Sequence, residues 1–99
     1  MDIEFDLYGI RFVANGKKSF KNPQKHEDVT FEVAAQVFFD PFLRVVDASH
    51  NTESREAIIG MDEASRLLFV VHVELEQDRI RIISARKATR DERRFYEDY

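Results

Sequence analysis

Ninety-nine residues, 43% of them hydrophobic and 34% charged, with nine Phe, three Gly and two Pro, describe one small globular domain rather than a disordered, collagenous or low-complexity chain. Cysteine is absent, which excludes disulfides, thiolate nucleophiles, zinc fingers and iron–sulfur sites. The longest aliphatic–aromatic run is the five residues 67–71, against roughly twenty for a membrane helix, and Met1-Asp2-Ile3-Glu4 lacks a signal pattern, so a soluble cytoplasmic domain spanning 1–99 is expected.

Ile3, Phe5 and Leu7 alternate with polar residues, and Ile10-Arg11-Phe12-Val13 follows Gly9, so the chain opens with a bent strand or a short hairpin closed by Asn15-Gly16. Residues 17–22 have helical character, and Pro23 predicts either a stop near Asn22 or a new start with Pro23 in the first turn. Thr30 is an N-cap for a helix whose buried face is Phe31, Ala34, Ala35 and Phe38, closed by Asp40-Pro41. Segments 43–47, 55–60, 67–75 and 79–84 read as strands of an antiparallel meander. Thr89-Arg90-Asp91-Glu92 has the spacing of a capping box and opens a C-terminal helix. The expected fold is α+β: an antiparallel sheet of about four strands, with N-terminal helices and a C-terminal helix covering one face.

The net charge of −4 conceals a strong segregation. Segment 11–26 carries five bases and no acid, and segment 79–94 carries seven bases and two acids, which leaves −14 on the remainder. Folded onto one side, the two segments would make a polyanion-binding face; alternatively their bases pair with nearby acids as solvated surface. His26, His50 and His72 show no metal-ligand spacing, so no metal is expected, and no Gly-rich phosphate loop or nucleophile elbow is present. His72, in phase with Leu68 and Val70, reads as a half-buried structural histidine. Strand alternation puts Arg79 and Arg81 on one face with Arg86 near the strand end, which suits either a phosphate clamp or pairing with Glu74 or Glu76.

Several segments together resemble the BrnT family of toxins from bacterial type II toxin–antitoxin pairs. They are Phe12 with Lys18, Asn22 and Lys25-His26; the helix from Phe31 to Asp40-Pro41; Glu53-Ser54-Arg55 leading to Ile58-Ile59-Gly60; Val70-Val71-His72; and the stretch from Arg81 to Thr89 with Glu92, Arg93 and Tyr96. The resemblance implies a RelE-like fold, an endoribonuclease that inhibits translation without a cofactor, and a cognate BrnA-like ribbon-helix-helix antitoxin through which DNA is contacted only indirectly. The chain departs from the family pattern at Ala14 (usually Trp), Asn15 (usually Asp), Pro23, and Glu27-Asp28 in place of a Gly. The lost aromatic would remove a stacking surface for RNA, and the two acids would oppose phosphate approach.

Metal-free RNA cleavage needs a base for the 2′-hydroxyl, cations for the phosphorane and an acid for the leaving oxygen. Placed on the motif positions, Arg81 and Arg86 would hold the scissile phosphate and Lys18, Lys21, Lys25 and Arg79 would bind RNA. His26 or Glu53 would serve as the base, with Arg55 orienting Glu53 or adding charge. Glu53 and Arg55 read equally well as a loop ion pair. The competing reading is a catalytically weak relative that binds the antitoxin and modulates its operator binding.

Overall fold

The computed structural model describes residues 1–98. Strands β1 (Asp2–Leu7) and β2 (Ile10–Asn15) form a hairpin, followed by helices α1 (Gly16–Lys25) and α2 (Phe31–Gln36) and a 3-10 turn, Val37–Phe39. Strands β3 (Arg44–Asp47), β4 (Glu56–Met61), β5 (Leu67–Glu74) and β6 (Arg79–Lys87) come next, and helix α3 (Arg90–Glu97) ends the chain.

Six strands make one sheet in the order β1-β2-β6-β5-β4-β3. The meander β3 to β6 is antiparallel as its spacing predicts, whereas β2 joins β6 in parallel and brings the hairpin into the same sheet. The expected four-stranded antiparallel sheet behind N-terminal helices is therefore replaced by a six-stranded mixed sheet that begins with strands. Tyr8 and Gly9, with φ of 49° and 85°, form the tight turn that returns β1 onto β2; positive φ at both central residues matches the right-handed strand twist.

Helix α1 continues through Pro23 to Lys25 instead of stopping near Asn22. The proline falls in the last turn, where losing one i→i−4 bond is tolerable, and its own carbonyl accepts the Asp28 N–H at 2.8 Å. Thr30 caps α2 through Val33 N–H, and Thr89 and Glu92 complete the capping box of α3. Strand β6 runs three residues beyond the expected 79–84.

The helices cover both faces of the sheet, not one. The main core joins Phe12, Ala14, Ile58, Leu68, Val70, Ile82 and Ala85 of the sheet to Val29, Phe31, Ala34, Ala35 and Val37. On the other face Tyr96 of α3 packs with Ile59 and Leu67. Burying side chains such as Phe12 and Phe31 contributes about 1.5–3 kcal/mol each.

Asp40 ties the layers together. Its carboxylate accepts the Tyr96 hydroxyl at 2.6 Å and the backbone N–H groups of Met61 and Phe42 at 2.8 and 2.9 Å. Burial works to raise its pKa, but these three donors overcome it and leave the carboxyl below the usual aspartate value. Asp40→Ala should therefore lower the urea-derived stability at pH 7 by about 2–3 kcal/mol. A depressed folded pKa adds stability that is complete above the unfolded value of about 3.9 and disappears as pH falls through the folded one. The gap between Asp40→Ala and wild type should then close in melts below pH 4; a gap unchanged at pH 3 would contradict this account.

Candidate RNA-binding cleft

Asn15, the N-cap of α1, accepts the N–H groups of Lys17 and Lys18 at 3.0 and 3.1 Å and so fixes where the helix begins. Lys17, Lys21 and Lys25 then recur every four residues, with Lys18 three before Lys21, which places the four ammonium groups on adjoining faces of two and a half turns. At the other end His26 is the C-cap, its N–H bonded to the Asn22 carbonyl at 2.9 Å.

Asn22 holds this helix against the sheet. It is only 6% exposed, and its side-chain amide donates to the carbonyls of Val29 at 2.7 Å and Ala85 at 2.9 Å. Opposite, the β5–β6 register shifts between Val71 and His72, since Val71 pairs with Ser84 but His72 with Ile82. Ile83 is the extra residue of this bulge, a device that re-aims side chains beside functional sites.

Between helix and bulge lies a cleft of about 380 Å³ lined by Lys17, Lys18, Lys21, Lys25, His26 and Arg55, with Asn22, Ile83 and Ser84. No carboxylate is among its lining residues. None of the four lysines makes an ion pair with another described residue, although acids outnumber bases in the chain. Arg55 bonds Glu53 through Nη2 at 2.9 Å, as the ion-pair reading expects, while its Nε is enclosed without a hydrogen-bond partner.

Of the sequence-predicted residues, the structure thus brings Lys18, Lys21, Lys25, His26 and Arg55 together, with Glu53 attached through Arg55. A neighbouring hollow is lined by Lys25, His26, Glu27, Arg86 and Lys87, so Arg86 borders the same surface. Its guanidinium is engaged in a two-pronged contact with Glu92, both bonds 2.8 Å, and lies 4.2 Å over the Phe69 ring. Burial works to raise the Glu92 carboxyl, but Arg86 and the Thr89 N–H hold it below the usual glutamate value. Arg81 makes a similar fork to Asp2, at 2.8 and 3.3 Å, rather than pairing with Glu74 or Glu76. Arg79 stands at the opposite end of β6, bonded to the Glu76 carbonyl, in a hollow shared with Gly9 and Leu75. Of the second basic segment, Arg86 and Lys87 thus adjoin the first, each paired with an acid, while Arg79 lies apart at the far end of β6.

The departures from the family pattern have structural explanations. Ala14 is wholly buried in the main core, so an aromatic there would be a packing residue and not an RNA platform. Asn15 caps as Asp would. Glu27 and Asp28 both take positive φ as the chain leaves α1, and the Glu27 carboxylate is turned to Lys87 at 2.7 Å. Neither acid lines the lysine cleft.

Sequence reasoning missed Lys17, Ser84 and the role of Asn22. The four-residue lysine spacing was available as a signal once a helix through Pro23 was admitted; the bulge that presents Ser84 has no local sequence mark.

His72 lies on the face predicted for it, with Leu68 and Val70, but fully buried. Its ring meets Phe38 edge-on at 4.9 Å. Burial pushes its pKa down, partly offset by Glu56, the Val70 carbonyl and Glu74.

A family model described as the ribonuclease toxin BrnT of a type II toxin–antitoxin system matches residues 15–92. No curated protein matches the chain. No helix among the described residues is long and apolar enough to cross a membrane.

The engagement of Arg86 yields a prediction. Arg86→Ala should cost about 1–3 kcal/mol of folding stability, and Arg86→Lys should recover less than half of it, because an ammonium cannot reproduce the fork. Thermal melts alongside RNA cleavage decide the matter. An unchanged melting temperature with cleavage abolished would instead assign Arg86 to the phosphate.

Proposed function

The chain belongs to the BrnT family of type II toxin–antitoxin ribonuclease toxins, and from that premise we propose that its lysine cleft binds and cleaves single-stranded RNA. One observation carries the reading: four lysines without acidic partners among the described residues and one arginine face a cleft whose described lining holds a histidine and no carboxylate. Phosphates supply the charge that such a lining lacks, and releasing their counterions favours binding.

In this proposal Lys18, Lys21 and Lys25, with Lys17, hold the RNA backbone along α1. The incompletely bonded Arg55 guanidinium, oriented by Glu53, stabilises the phosphorane. His26 takes the proton of the attacking 2′-hydroxyl, imidazole being the side chain most often used for general acid–base proton transfer. Arg86 borders the site and braces the start of α3, which extends the reading to the neighbouring hollow. Cleavage needs no metal: the 2′-oxygen bonds to phosphorus as the P–O5′ bond breaks, the leaving 5′-oxygen takes a proton from solvent water, and a 2′,3′-cyclic phosphate remains. The reaction inhibits translation in the cytoplasm as a RelE-like toxin would, and is silenced by a BrnA-like ribbon-helix-helix antitoxin that also supplies the DNA contact.

A second reading, an antitoxin-binding module with little catalysis, is favoured by one observation: Arg81 and Arg86 are both committed to carboxylates. Expression alone separates the two, since a catalytic toxin slows growth and a binding module does not.

The RNA reading predicts that the purified protein cleaves RNA in EDTA with a cyclic phosphate end and that His26→Ala slows cleavage by about 10²- to 10⁴-fold. The double variant Lys18→Gln, Lys25→Gln should lower the slope of log affinity against log salt by about 1.4, from about 0.7 per phosphate contact on a single strand. An unchanged salt slope, or cleavage that requires magnesium, would overturn the assignment.

A further inference from the structure

Strand pairing assembles a cluster that sequence spacing conceals. Glu56 on β4 is the register partner of His72 on β5, and Glu74 lies two residues further along β5, so all three side chains project from one face. One ligand atom from each, an imidazole nitrogen and two carboxylate oxygens, lies within 4.8 Å of the others. The cluster borders a hollow of about 280 Å³ with Ser54, Arg55 and Val73.

His72 gives an observation independent of the carboxylates. The residue is 2% exposed, yet its ring makes no hydrogen bond of normal geometry with a described residue, the nearby Val70 backbone included, and its Nε2 stands 3.7 Å from Glu56 Oε1, beyond hydrogen-bond length. A buried imidazole is normally satisfied on at least one nitrogen. Here the ring meets Phe38 edge-on, Nε2 stands toward Glu56, and Glu74 brings a carboxylate oxygen into the same cluster.

We propose that Glu56, His72 and Glu74 form a binding site for a divalent transition-metal cation of the zinc or cobalt class. One nitrogen and two oxygens make the three-ligand set of an open tetrahedral site, with water in the fourth position. The imidazole selects these ions over magnesium, which prefers oxygen ligands and keeps its water. At metal–ligand distances of about 2.1 Å, ligand atoms stand roughly 3.4 Å apart, so the two exposed glutamates must close by about 1 Å through rotamer adjustment while His72 stays in place. Arg55, the one cation among the hollow's described lining residues, makes its ion pair with Glu53 through Nη2. The site lies on the Arg55 side of the lysine cleft and takes no part in the cleavage chemistry proposed above; it stands or falls independently of that reading.

Zinc titration by calorimetry and cobalt titration by ligand-field absorption test it on the intact protein. One ion should bind per chain, and Glu56→Gln and Glu74→Gln, both at exposed positions that leave the core untouched, should each weaken binding at least tenfold. His26→Ala and His50→Ala should leave it unchanged, and millimolar magnesium should not displace zinc. Absence of saturable zinc binding, retention of full affinity in both glutamine variants, loss on His50→Ala, or displacement by magnesium would overturn the proposal.

Discussion

The side-chain amide of Asn22 is the contact on which the arrangement depends. It reaches from the buried side of α1 to the carbonyls of Val29 and Ala85, satisfying both the chain leaving the helix and the strand beyond the bulge. Two buried carbonyls without donors would cost about 1–3 kcal/mol each, so the helix is pinned where its lysines oppose Ser84 and Arg55. Without that pin α1 has little to hold it, because its other residues are mostly lysines, small polar residues and an exposed Phe20.

Electrostatics then divide the surface by occupancy rather than by count. Arg11 is taken by Glu4 and Asp6, Arg81 by Asp2, Arg86 by Glu92, Lys87 by Glu27 and Arg93 by Glu97. The exposed pairs among these contribute at most about 1 kcal/mol each and the part-buried Arg86–Glu92 fork more, and all of them remove those cations from competition for an anion. The four lysines of α1 remain together at one cleft, in a protein whose overall charge is −4, while Arg79, Arg90 and Arg94, which also make no ion pair with a described residue, stand apart at the start of β6 and on α3. A polyanion approaching this acidic body therefore meets its attraction concentrated at one cleft.

Local signals made much of the fold legible. The Thr30 and Thr89 caps, the apolar spacing of Phe31, Ala34 and Ala35 and the alternation in β5 all act over a few residues, and each element lies where they place it. What was not legible is set by long-range pairing: the parallel β2–β6 join, the second face covered by Tyr96, and the Ile83 bulge. The same division runs through the site. Lys18, Lys21, Lys25 and His26 sit on one helix and were readable together, whereas Asp2 and Glu92 claim Arg81 and Arg86 through contacts that composition cannot show. Pro23 misled because propensity counted against a helix whose final turn is held by Asn22 and by the Asp28 N–H on the proline carbonyl. The Glu56, His72 and Glu74 cluster was invisible for the reason that hides any cross-strand constellation, since its members meet only through register.

The central claim is that RNA lies in the lysine cleft between α1 and the β6 bulge. Amide chemical-shift mapping with a short single-stranded RNA, blocked against cleavage by 2′-deoxy substitution, tests it most directly. The account predicts saturable shifts gathered on residues 17–26, Arg55 and Ser84 that weaken as salt rises. Shifts gathered instead on Arg79, or on Arg90, Arg93 and Arg94 of α3, with residues 17–26 unmoved, would contradict it.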